Sequence, residues 1–175
     1  VAYELEKVDS SYRSSISVQS SLVIHPINEF GSKDQKDKYL PELISGKKIG
    51  CFGLTESEAG SDPSSMKTTF KETKDGYILN GSKNWITNAP IADVFIIWAL
   101  EENKDHKSIA GFILEKNFNG LTTSTIENKT SLKISPTGQI VLNNVLAPKD
   151  SRLKNINGWK SVFSCLNKAR FGISF

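Results

Sequence analysis

The apolar residues of this chain change their period at Ile49, and no other feature limits its possible folds as much. Before that point Leu5, Val8 and Tyr12 recur at helical spacing, and a Ser-rich apolar run over 16–27 continues toward a stop near Gly31. Ser32 followed by Gln35 has the form of a capping box, which predicts a further helix over 33–44 ended by Ser45-Gly46. After it, short β-rich runs occupy 49–54, 68–73, 77–80, 94–100, 109–115 and 139–145. Asp75-Gly76, Asn80-Gly81, Asn119-Gly120 and Thr137-Gly138 read as the turns between them. From Trp159 the spacing of Val162, Leu166 and Ala169 is helical again. The expectation is an α+β chain: a helical segment over 1–47, an antiparallel β-barrel over 48–157, and over 158–175 the first helix of a further bundle.

Composition removes several alternatives. With 175 residues, 38% hydrophobic and 23% charged, the chain can bury a core and has the balance of a globular domain. Its net charge of +3 comes from scattered lysines, without the basic face or interleaved aromatics of a nucleic-acid footprint. The longest apolar run, 94–100, has the length of a buried strand and falls well short of the roughly 20 residues that span a bilayer, so no membrane insertion is expected. Cys51 and Cys165 lack CxxC spacing, and His25 and His106 provide neither a thiol's base nor a metal set. The chain opens and closes inside helical pattern, as expected of a piece of a longer polypeptide.

Chemistry concentrates in the loop Gly53-Leu54-Thr55-Glu56-Ser57-Glu58-Ala59-Gly60-Ser61-Asp62. It follows an apolar strand, its glycines permit close approach of backbone to a ligand, and its hydroxyls and N–H groups suit carbonyl or phosphate oxygens. No Gly-Lys-Ser/Thr follows, which excludes a P-loop, and no G-x-G-x-x-G opens a helix here. On its own, the loop also fits a tight surface turn capped by Asp62. Further on, Asn80-Gly81-x-Lys83-x-Trp85-Ile86-Thr87-Asn88 fits a hairpin with Trp85 in the core and Lys83 as a solvated turn residue.

Together, in this order and spacing, the two segments resemble the signatures of the acyl-CoA dehydrogenase family, and the resemblance extends from the helical start to Asn167-Lys168-Ala169-Arg170-Phe171-Gly172. Several stretches, among them Val8-Asp9-Ser10-x-Tyr12-Arg13-Ser14 and Val18-Gln19-Ser20-Ser21-Leu22, are most similar to the members that act on glutaryl-CoA. The resemblance implies FAD as cofactor. Phe52, Leu54 and Thr55 would contact the isoalloxazine, partly through backbone atoms. Gly60, Ser61 and Ile86 belong to the same platform, with Trp85 packed by the ring and Thr87 bonded near N5. Ser61 would also bind the CoA arm, and Leu166, Asn167, Arg170 and Gly172 would line its channel.

The resemblance further places Glu6, Arg13 and Ser14 at the acyl tail. A guanidinium is costly beside an unsubstituted fatty chain but can hold the distal carboxylate of a glutaryl group through charge-assisted bonds. Glu6 lies seven residues before Arg13, so on one continuous helix the two would share a face, where the plain alternative is a surface ion pair. The activity implied is α,β-dehydrogenation of an acyl-CoA, with oxidative decarboxylation of glutaryl-CoA to crotonyl-CoA favoured. Electrons would go to an electron-transfer flavoprotein, within a homotetramer, in the mitochondrial matrix of a eukaryote or the cytoplasm of a bacterium. The family's base, a glutamate of a carboxy-terminal helical domain, is not expected among these residues. The alternatives are a short-chain dehydrogenase or acyl-CoA oxidase of the same fold, or a non-catalytic CoA-ester-binding module.

Overall fold

The computed structural model describes residues 1–174. Five helices and seven strands follow the order set by the change of period. Helix α1 (Ala2–Val8) ends at Asp9, whose extended backbone interrupts the helix and whose carboxylate caps α2 (Ser10–Ser17) by accepting the Ser11 N–H at 2.6 Å. The first helix is therefore two, not one. From α2 the chain stays helical through a π-helical stretch (Val18–Ile24) into α3 (His25–Phe30). Helix α4 (Lys33–Ile44) starts at the expected capping box. Gln35 N–H donates to Ser32 Oγ at 3.2 Å, and Ser32 N–H donates to Gln35 Oε1 at 2.9 Å.

The strands are β1 (Gly50–Gly53), β2 (Thr69–Glu72), β3 (Tyr77–Thr87), β4 (Val94–Glu101), β5 (Ile109–Glu115), β6 (Leu121–Thr125) and β7 (Thr137–Ala147), followed by α5 (Gly158–Ile173). They form one sheet in the order β1-β4-β2-β3-β7-β6, with β5 on the other side of β4. The sheet is mixed and open, not a closed antiparallel barrel. β1 and β2 both run parallel to β4, side by side along one edge, Gly50 to Gly53 opposite Val94 to Ile97 and Thr69–Phe70 opposite Leu100–Glu101. The remaining pairings are antiparallel.

Alternation along β4 sets the two cores. Phe95, Ile97 and Ala99 face a cluster inside the curl of the sheet. There the rings of Phe70, Tyr77 and Phe112 meet edge to face at 4.9 to 5.9 Å. Val94, Ile96 and Trp98 face the helices, meeting Val23, Ile27, Leu43, Val162 and Cys165. A strand covered on both faces reads as a continuous apolar run, which is why 94–100 shows no alternation in sequence. Two of the expected turns are bends within strands. Asn80-Gly81 lies in β3 beside a register shift, where a Cβ on Gly81, at φ +142, would lie 2.5 Å from Thr68 Oγ1, and Thr137-Gly138 begins β7. Among the described residues, no helix is long and apolar enough to cross a membrane.

Candidate functional site

The signature loop leaves β1 at Gly53, where the fold has no room for a side chain. A Cβ there would lie 2.6 Å from Ile97 Cδ1 and 3.2 Å from Lys83 Cγ. This close approach brings the loop over β3, and two residues of β3 hold it. Lys83 Nζ donates to Glu56 Oε1 at 2.8 Å and to the Leu54 carbonyl at 3.2 Å. Asn84 N–H donates to the Thr55 carbonyl at 2.9 Å, and Asn84 Nδ2 to Ser57 Oγ at 3.2 Å. The two signature segments are one structural unit.

Lys83 is completely buried, so the expectation of a solvated turn residue is corrected. It lies in step with Tyr77 and Leu79 on the inward face of β3, and its ammonium has the loop's oxygens as partners. Burial pulls that ammonium down to about 8 against the opposing attraction of Glu56. Burial pushes the Glu56 carboxyl up, but the Lys83 charge and hydrogen bond, with those from Thr68 and the Lys67 N–H, bring it net below its usual value. Glu56 thus stays ionised. Its oxygens accept from Lys67 N–H (2.7 Å), Thr68 N–H (3.0 Å), Thr68 Oγ1 (2.5 Å) and Lys83 Nζ.

A register shift between Lys83 and Ile86 lifts Trp85 out of the ladder at φ +59, and its indole is 60% exposed. A large aromatic on a strained backbone is costly to leave in water, and such outliers gather at ligand sites. The hydroxyls of Thr55, Ser61 and Thr87 and the indole N–H of Trp85 make no hydrogen bond to any described residue, and a Cβ at Gly60 would meet only open space. An open glycine, an exposed ring and free hydroxyls on one unit fit a planar heterocycle with polar edges. Phe52 and Leu54 are buried, Phe52 edge to face with Trp98 at 6.1 Å, so only their backbone remains for such a ligand. Ile86 is buried too, paired with Gly138 in the sheet.

At the other end, Glu6 and Arg13 meet across the break at Asp9. Arg13 Nε donates to Glu6 Oε2 at 2.6 Å, and Ser10 Oγ to Glu6 Oε1 at 2.5 Å. Ser10 first, and Arg13 second, hold the Glu6 carboxyl below its usual range. The Arg13 side chain is 18% exposed and borders a cavity of about 190 Å³ with Val1, Leu5, Ile16, Ser17 and Gly172. Its two terminal amino groups make no hydrogen bond to any described residue. Ser17, one turn beyond Arg13, lines this cavity together with Ser20 and Ser21, and Ser14 is not among its lining. Gly172 joins Arg13 here, while Asn167 and Arg170 bond to each other on exposed helix surface at 3.3 Å. Leu166 packs partly buried against the helix-side core.

A mixed sheet with helices on one face, carrying a loop and a bulge that expose one aromatic and several free hydroxyls, fits a platform for a small ligand. The family model for the acyl-CoA dehydrogenase middle domain matches residues 51–145, and that for the N-terminal domain matches residues 1–47. The chain belongs to the acyl-CoA dehydrogenase family. It is 37% identical over 98% of its length to the short-chain-specific acyl-CoA dehydrogenase of Clostridium acetobutylicum, covering 46% of that protein. It is 38% identical over 97% of its length to the glutaryl-CoA dehydrogenase of Desulfococcus multivorans, covering 44%. The crystal structure of a glutaryl-CoA dehydrogenase from Mycobacterium smegmatis in complex with FADH2 superposes with a TM-score of 0.94 at 44% identity, over 98% of this chain and 44% of that one. The chain therefore spans just under half the length of the relatives it matches.

Proposed function

We propose that this chain supplies the flavin platform and the acyl-tail pocket of an FAD-dependent dehydrogenase that oxidises and decarboxylates glutaryl-CoA to crotonyl-CoA. The observation that carries the substrate is Arg13: a mostly buried guanidinium at an apolar-walled cavity, with both terminal amino groups free of protein partners. A butyryl tail would leave those groups desolvated and unbonded, whereas a carboxylate satisfies them. Glu6 holds the guanidinium by Nε and leaves its other nitrogens for substrate. Ser17 offers a further hydroxyl at the same wall. Ser14, the residue after Arg13, belongs with it to the proposed acyl-tail site.

When bound, FAD supplies the acceptor for the hydride that leaves the β-carbon. Thr55 and Thr87 would hydrogen-bond the ring, with Phe52, Leu54 and Gly60 contributing backbone and Ile86 backing the platform. Trp85 would pack by the ring and exclude water. Ser61 and the α5 residues Leu166, Asn167 and Arg170 would hold the CoA arm, with Gly172 where it meets the acyl-tail cavity. No carboxylate of this chain is assigned the base: Glu56 is saturated by three neutral donors and an ammonium. The base is a glutamate of a helical region beyond Phe175, within the length by which the relatives exceed this chain. An electron-transfer flavoprotein takes up the electrons, and the whole protein is a homotetramer divided at 1–47, 48–157 and a helical domain from 158.

Similarity to the short-chain enzyme is as high as to the glutaryl-CoA enzyme, and it favours a second reading, oxidation of butyryl-CoA on the same platform. Anaerobic titration of the FAD-loaded whole protein separates the two. Bleaching of the flavin absorbance by glutaryl-CoA at lower concentration than by butyryl-CoA supports the first, and the reverse order supports the second.

A further inference from the structure

The two segments assigned to the flavin are joined beneath the surface by side chains that the proposed reaction does not use. Lys83 reaches from β3 to the Leu54 carbonyl and Glu56, its stem packed against Gly53. Glu56 takes its remaining hydrogen bonds from Lys67 and Thr68, where the chain returns toward β2. Three stretches of chain, 54–56, 67–68 and 83, therefore converge on one carboxylate. Just above that point Asn84 ties the bulge to Thr55 and Ser57, and Trp85 is held at φ +59, a conformation its own preferences disfavour. A buried ion pair is seldom the most stabilising way to fill such a space, because apolar side chains of similar volume often do as well or better. What apolar packing does not supply is direction: hydrogen bonds to named oxygens fix the loop's height and rotation over β3.

We infer that the Lys83–Glu56 pair is a positioning device, which locks the 53–58 loop onto the β3 bulge so that Thr55, Trp85 and Thr87 hold one arrangement before any ligand binds. The pair touches no reacting atom and acts through the residues it places. The ligand named here rests on the flavin reading above; the locking itself does not.

The test is amide hydrogen exchange on the whole protein, free of flavin, comparing wild type with the double variant Lys83→Met/Glu56→Gln, which removes both charges and keeps an acceptor for Thr68. Exchange over 54–58 and 84–87 is expected to rise about tenfold, the factor of about 1.4 kcal/mol of lost local protection, with β4 and β5 unchanged. Unchanged exchange in both segments overturns the inference. So does an equal rise across β4 and β5, which marks the pair as general stabilisation only. Thr68→Val removes one donor from Glu56 without altering charge and is expected to give the same local pattern at smaller amplitude. It decides the question should the double variant not fold. In parallel, titration with FAD is expected to show about tenfold weaker binding for the double variant. A wild-type protein that binds no FAD defeats the flavin reading while the exchange data still judge the lock.

Discussion

Lys83 Nζ and Glu56 Oε1 lie 2.8 Å apart in an environment that exposes none of the lysine, and the pair binds the signature loop to β3. Removing one partner of such a pair leaves an uncompensated charge in the interior. Lys83→Met alone should cost about 3–5 kcal/mol of stability, and the double variant Lys83→Met/Glu56→Gln should cost clearly less. Urea unfolding of the four members of the cycle measures the coupling.

The buried ammonium also sets a pH dependence. Its pKa falls from 10.5 to about 8 on folding, so between those values the unfolded chain binds more protons than the folded one. Stability should therefore rise with pH across that window: the contribution is fully present above the unfolded value and lost as pH falls to the folded one. The midpoint of unfolding, followed from pH 7.5 to 10 as wild type minus Lys83→Met/Glu56→Gln, should climb in this direction. A flat or falling difference would contradict the assignment.

Inside the curl of the sheet, Phe112 meets both Phe70 and Tyr77 edge to face and is completely buried. Phe112→Ala should cost about 3–5 kcal/mol through lost transfer energy and the cavity left behind. Thermal unfolding of the variant checks it.

Trp85 should behave in the opposite way. Because its indole is mostly in solvent, Trp85→Ala should alter stability by no more than about 0.5 kcal/mol. Yet it should weaken FAD binding by about tenfold, the loss of roughly one aromatic contact. Fluorescence titration with FAD beside a melting curve separates the two effects.

Much of this was legible before the structure. The change of period at Ile49 and the capping box at Ser32 and Gln35 are local signals, and both reappear in the fold. The open, partly parallel sheet was not, because β1 and β2 reach β4 through pairings far apart in sequence that leave no local mark. β6, rich in Thr and Ser and mostly exposed, lacks the apolar alternation that marks a strand. The break at Asp9 hid inside a run of helical spacing, although an Asp before two serines is a good N-cap signal. In the site, the loop residues stand out by type, but the charge of Lys83 points to solvent while its position points inward. It keeps step with Tyr77 and Leu79, and the period of two alone would have turned it inward.

The central claim is that Arg13 selects a carboxylate-ended acyl chain, and it is tested most directly by the ratio of kcat/KM for glutaryl-CoA to that for butyryl-CoA. In the whole protein, wild type should prefer glutaryl-CoA. Arg13→Ala should lose that preference by about 100-fold or more, the equivalent of one or two charge-assisted hydrogen bonds, with butyryl-CoA turnover little reduced. An unchanged ratio in Arg13→Ala, or a wild type that prefers butyryl-CoA, would contradict the account.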